Sequence, residues 1–179
     1  MRYGFIALAL ALVVPTVVFA QTPADERAAV DAALGQTFHG TFPYVPSWVV
    51  SDRTDPLPFS DSARPDVQSA SSDYAIRNAE LLDLSALTLP PKVTSADLTT
   101  FDEPGGFDWE GFENAFGAGT WTVRVARPGF ADPSSAVVRI DVWSRNKQQP
   151  LTTVVFVTKQ SDGSWRATGG FAPARHDAH

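Results

Sequence analysis

Cysteine is absent from the 179-residue chain. That excludes a disulfide scaffold, a thiolate zinc site, a cysteine nucleophile and a lipid-modified N-terminal cysteine. Histidine is nearly as scarce, with three in all: His39, and the pair His176 and His179 at the end of the chain. Charge is thin, at 19% of positions, and acidic in balance, with 20 Asp+Glu against 14 Lys+Arg. Nucleic acid demands a dominant basic face, so that class of partner is set aside. No G-x-S-x-G elbow occurs, and no glycine-rich loop placed to cradle phosphate. Long apolar runs are missing everywhere except at the N-terminus.

That one run is informative. Residues 3–24 carry no formal charge; Arg2 precedes an apolar stretch from Phe5 to Val14, then Pro15, and the small-residue site Val18-Phe19-Ala20 before Gln21. This is the three-part layout of a secretory signal peptide over residues 1–20, with cleavage after Ala20. The expected location is therefore exported, periplasmic or extracellular, with no membrane attachment after cleavage. A cysteine-free exported chain fits a bacterial envelope better than a disulfide-dependent secretory route.

What is present suffices for one core. Hydrophobic residues make up 44% of the chain, including 12 Phe and 5 Trp, and residues 21–179 are of single-domain length. Residues 21–113 hold 5 basic and 16 acidic side chains, whereas residues 114–179 hold 8 and 4. This asymmetry is read as two layers of one domain that attract each other.

Thr22 and Pro23, followed by Asp25 and Glu26, form a helix start. Ala29, Val30, Ala33 and Leu34 continue it as an apolar stripe ending near Gly35. Residues 47–51 are β-prone. Residues 53–72, with Pro56, Pro58 and Pro65, read as an irregular Pro/Ser-rich surface loop. Residues 73–84 look helical. Trp109, Phe112 and Phe116 share one helical face, with Gly117 as the terminating cap. From residue 120 the period becomes two: Trp121, Val123 and Val125, then Val138, Ile140 and Val142, alternate with polar positions. Residues 151–157 are apolar on both faces and suit a central strand, and Asp162-Gly163 marks a hairpin turn. The expected fold is α+β, with N-terminal helices packed on one face of a four-stranded curved antiparallel sheet. Opposed like charges are unfavourable across a hairpin, so the register should place Arg124 opposite Asp141, not Arg139.

Several of these segments together resemble a family of small exported bacterial proteins of unknown function. They are Val49–Thr54, Asn78 with Leu81 and Leu82, the helix with Trp109 and Phe112, Arg127-Pro128-Gly129-Phe130, Ala136–Val142, Val155–Lys159, and Asp162-Gly163-Ser164-Trp165. That resemblance implies export and a small domain and supplies no catalytic residue. The succession of helices and a curved sheet with an Asp-Gly-x-Trp hairpin is also similar to the cone-shaped nuclear transport factor 2-like superfamily. Those domains often hold a small ligand between helix and sheet.

Tests for chemistry return little. Asp102 and Glu113 have EF-hand spacing, but Pro104, Gly106 and Phe107 occupy the inner ligand positions, so no calcium loop is assigned. Ser144-x-x-Lys147 lies at a strand end and lacks the helical setting of an S-x-x-K nucleophile. His39, among Phe38, Phe42 and Tyr44, reads as a packed or solvated loop residue. No catalytic residue, metal or cofactor is assigned. The remaining signal is the polar face of the sheet, where Arg124, Arg139, Asp141 and Trp143 form the expected binding patch for an envelope or extracellular protein or a small ligand. The reading is a non-enzymatic partner- or ligand-binding domain. Its alternative is a cone-shaped small-molecule site with hydrolase or isomerase activity. A flat, exposed Trp143 over a filled interior would favour the first; an apolar pocket with a buried, perturbed carboxylate would favour the second.

Overall fold

The computed structural model describes residues 21–58 and 65–172. Residues 1–20, read above as a signal peptide, and the His176/His179 pair lie outside the described residues.

Helix α1 spans Pro23–Gln36, with the Thr22 hydroxyl accepting from the Asp25 amide at 3.1 Å and Pro23 in the first turn. It does not stop at Gly35. The chain runs on through a wider π-helical turn, Thr37–Thr41, closed by the Phe42 amide donating to the Thr37 carbonyl. Strand β1 (Trp48–Ser51) follows, then α2 (Pro65–Arg77), β2 (Val93–Ala96), the short hairpin β3 (Asp102–Glu103) and β4 (Gly106–Phe107), and α3 (Trp109–Phe116). The chain finishes with β5 (Trp121–Val125), β6 (Gly129–Asp132), β7 (Ser135–Trp143), β8 (Leu151–Lys159) and β9 (Trp165–Phe171).

The architecture is α+β, but the expected sheet is wrong in size and kind. It has seven strands in the order β2-β1-β5-β7-β8-β9, with β6 also paired to β7, and it is mixed. β1 pairs parallel with both β2 and β5; the remaining pairings are antiparallel. Parallel neighbours need crossover connections. Those crossovers carry α2 and α3 over the second face of the sheet, so the helices do not all lie on one side. The Pro/Ser-rich loop reading is likewise corrected from Pro65 onward, because proline is tolerated at the start of a helix. α2 therefore begins eight residues before Asp73 and ends at Arg77.

The first face is the main core. α1, through Ala29, Val30, Ala33 and Leu34, packs with Phe38 and Phe42 on Trp48, Val50, Val123, Val125, Val138, Ile140, Val142, Val155 and Val157. The second face holds two smaller clusters: Ala70 of α2 with Val137 and Val154, and Phe112 of α3 with Val49 and Leu98. β8 is thus covered on both faces, as its composition requires. Helix α3 is capped at its start by Asp108, which accepts from the Gly111 amide at 2.9 Å, and ends at Gly117 with φ +99°.

The two oppositely charged parts of the sequence do attract each other. Glu26–Arg127, Asp25–Lys159, Asp55–Arg124, Asp102–Arg124 and Glu113–Arg145 each join an acid from the first part to a base from the second. Among them, Glu26 is 1% exposed and takes both Arg127 and Arg77, and Arg77 also bonds Asp73. This buried cluster ties α1, α2 and the β5–β6 connection together.

Candidate functional site

The expected register is present: Arg124 lies opposite Asp141, and Thr122 opposite Trp143. The charges do not pair across it, however. Arg124 turns away from the sheet and donates to Asp55 at 3.3 Å and Asp102 at 2.6 Å. Arg139 and Asp141, two residues apart on one face of β7, form a two-pronged bond of 3.0 and 2.9 Å. Both guanidinium groups are thereby held in fixed, partly desolvated ion pairs, which is where charge-assisted bonds are strongest.

The carboxylates come from the ends of the parallel strands. Asp55 follows β1, Asp102 follows β2, and Arg124 is the penultimate residue of β5. In open sheets with parallel strands, the region beyond the carboxyl ends is where connecting loops diverge and ligands are held. Here the loop after β1 crosses the second face, anchored by the Asp55 amide donating to the Val125 carbonyl and by the buried Tyr74 hydroxyl donating to the Leu57 carbonyl at 2.7 Å.

Between that loop and the β3–β4 hairpin lies a cleft of about 360 Å³. Leu57, Phe107, Trp143 and Pro150 give it apolar walls, and Asp102, Glu103, Thr122, Arg124 and Asp141 give it polar ones. Its size and mixed lining are those of a small-molecule site. Of the four sheet residues proposed from sequence, Arg124, Asp141 and Trp143 line it, while Arg139 holds Asp141 from beside.

Trp143 is neither flat nor open. Its ring is half-buried against Phe107 (centroids 6.0 Å apart) and Trp109 (5.1 Å), and its indole N–H donates to the Lys147 carbonyl at 2.9 Å. The polar face is therefore half-roofed by α3 and its hairpin rather than bare. Most of the α1–sheet interface, where a cone-shaped domain would hold its ligand, is packed by the main core, and the groove that remains there opens at the edge between α1 and β9.

Asp55 is the perturbed group. It is 8% exposed, and burial pushes its carboxyl above the ordinary value of 3.8; Arg124 pulls it back and the Asp102 charge adds to the rise. Its Oδ2 is buried with no hydrogen-bond partner among the described residues. Sequence reasoning missed Asp55, Asp102, Glu103 and Phe107. A turn signal, Pro104-Gly105, stood between the last two, but nothing local tied the hairpin to β5 and β7.

His39 sits exposed on the π-helical turn, beside an open groove of about 430 Å³ formed with Trp165 and Arg166 of β9. Its imidazole makes no hydrogen bond among the described residues. No group of three or more metal-ligating side chains converges among the described residues, and no helix among them is long and apolar enough to cross a membrane. No family model, curated protein or solved structure matches the chain.

Proposed function

We propose that the chain is an exported protein that binds a small molecule, without transforming it, in the cleft between the β3–β4 hairpin and the loop after β1. The observation that carries this reading is a concave, half-apolar cleft over ion pairs that are already satisfied. Such a site is preorganised and costs little to order on binding. The perturbed carboxyl of Asp55 does not line the cleft and is committed to Arg124, which favours binding over general acid–base chemistry. Export is supported by the N-terminal layout. It is also supported by the position of the α1 cap: Thr22 lies two residues past Ala20, so cleavage there leaves the helix and its cap whole.

The reading is tested by a fragment library titrated into ¹⁵N-labelled protein comprising residues 21–179. Binders should shift the Trp143 indole N–H and the amides of Phe107 and Arg124 saturably, and Trp143→Ala should abolish the shifts at the two amides. Binders that shift only residues elsewhere would overturn it. Intact mass of the protein recovered from the envelope or medium tests export, the expected species beginning at Gln21.

A further inference from the structure

Resting on that reading, we propose that the cleft selects a small organic cation carrying an apolar group. The argument begins with a charge balance. Three carboxylates line the cleft, Asp102, Glu103 and Asp141, against one lining guanidinium, that of Arg124, while Arg139 holds Asp141 from beside. Both arginines are already engaged, Arg124 by two acids and Arg139 by one, so neither offers uncompensated positive charge to an anion. Lys147, in the following loop, does not line the cleft. The surplus is negative, and it is placed where a ligand would meet it: Glu103 is exposed at the cleft and has no ion-pair partner among the described residues.

The apolar walls fit the same ligand. Aromatic faces attract cations through their quadrupole, most strongly when water is excluded. Phe107 already shows this preference, with the Arg124 guanidinium carbon 5.9 Å from its ring centroid, and Trp143 stands 6.0 Å from Phe107. A cationic head between Glu103 and these rings, with its hydrocarbon part toward Leu57 and Pro150, meets complementary surface at both ends. An anion would face a carboxylate surplus, and a neutral polar ligand would gain no attraction from Glu103.

Three probes of one shape isolate charge: phenethylamine, 2-phenylethanol and phenylacetate, titrated by calorimetry into protein comprising residues 21–179 at low and high salt. Phenethylamine should bind about tenfold more tightly than 2-phenylethanol, and phenylacetate most weakly. Salt should shrink the difference, because exposed charges are screened. Glu103→Gln should weaken phenethylamine by about three- to tenfold and leave 2-phenylethanol unchanged. Binding of 2-phenylethanol or phenylacetate as tight as that of the amine would overturn the charge selection while leaving the cleft as the site. If none of the three binds or shifts Trp143, the cleft reading and this inference fall together.

Discussion

Glu26 makes the sharpest test of how α1, α2 and the sheet are held. Its carboxylate is 1% exposed and accepts from Arg77 at 2.7 Å and from Arg127 at 2.6 and 3.0 Å. In Glu26→Ala, Arg77 keeps Asp73. Arg127, only 14% exposed, keeps the carbonyls of Arg77 and Glu80 and a carboxylate, that of Glu80, 3.9 Å away and largely in solvent. Removing one member of a buried ion pair leaves an uncompensated charge, which costs about 3–5 kcal/mol. At about 2–4 °C per kcal/mol for a domain of this size, Tm should fall by about 6–20 °C. Asp25→Ala, one residue earlier, breaks a half-buried pair with Lys159 that keeps access to solvent, and should cost only about 1 kcal/mol. Adding Arg127→Met to Glu26→Ala removes the orphaned charge and should recover part of the loss, a non-additivity expected only of coupled residues. Urea unfolding followed by tryptophan fluorescence measures the parent, these three variants and Arg127→Met alone, which closes the cycle. If Glu26→Ala costs no more than Asp25→Ala, or if Arg127→Met deepens the loss additively, the cluster is not what fastens α1 to α2.

Two glycine substitutions should move stability in opposite directions. A Cβ on Gly129 would lie 2.5 Å from the Tyr74 Cβ and 2.8 Å from the Ala70 carbonyl oxygen. Gly129→Ala should therefore push α2 off the sheet and cost about 1–3 kcal/mol. A Cβ on Gly35 meets nothing within 4 Å, and alanine inside α1 should add about 0.5–1 kcal/mol; equal effects in thermal melts would contradict the packing described. Asp55→Asn should become increasingly favourable, relative to the parent, as pH rises. A carboxyl whose folded pKa is raised costs stability once pH passes 3.8, and the full cost is present above the raised value. A stability difference that stays flat with pH would refute the burial argument. Asp25 should behave in the opposite sense. The Lys159 ammonium lowers its pKa, so its contribution is present above 3.8 and is lost as pH falls through the lowered value. In acid titration of stability, the dependence should weaken in Asp25→Asn.

What could be read ahead of the structure was what short-range physics decides. The α1 cap at Thr22, the α3 face of Trp109, Phe112 and Phe116, and the β7, β8 and β9 strands follow from capping and periodicity. The Arg124–Asp141 register followed from cross-strand charge and side-chain alternation. What could not be read depends on distant backbone pairing. β1 is four residues, all buried, and its parallel partners are Val93–Ala96 and Trp121–Val123. Nothing in Val93-Thr94-Ser95-Ala96 alternates, because that strand is fixed by its neighbour and not by its own pattern. α2 was obscured by Pro56, Pro58 and Pro65, whose composition resembles a loop although Pro65 begins a helix. The binding patch was half legible. Its floor came from alternation along β5 and β7, whereas its walls at Leu57, Glu103 and Phe107 arrive through crossovers that no local pattern announces.

The place of β1 between two strands that come later in the chain has a consequence for how the molecule comes into being. Ser47, just before β1, bonds Thr120, 73 positions along the chain, and Asp25 meets Lys159 across 134. The first helix therefore has no floor until the last hairpin has been made, and the sheet cannot close from its N-terminal portion alone. Folding should be slow and concerted, as contacts of high sequence separation dictate. Under the export proposed above, the chain would stay extended for nearly its whole passage through a translocation pore and lock only on the far side.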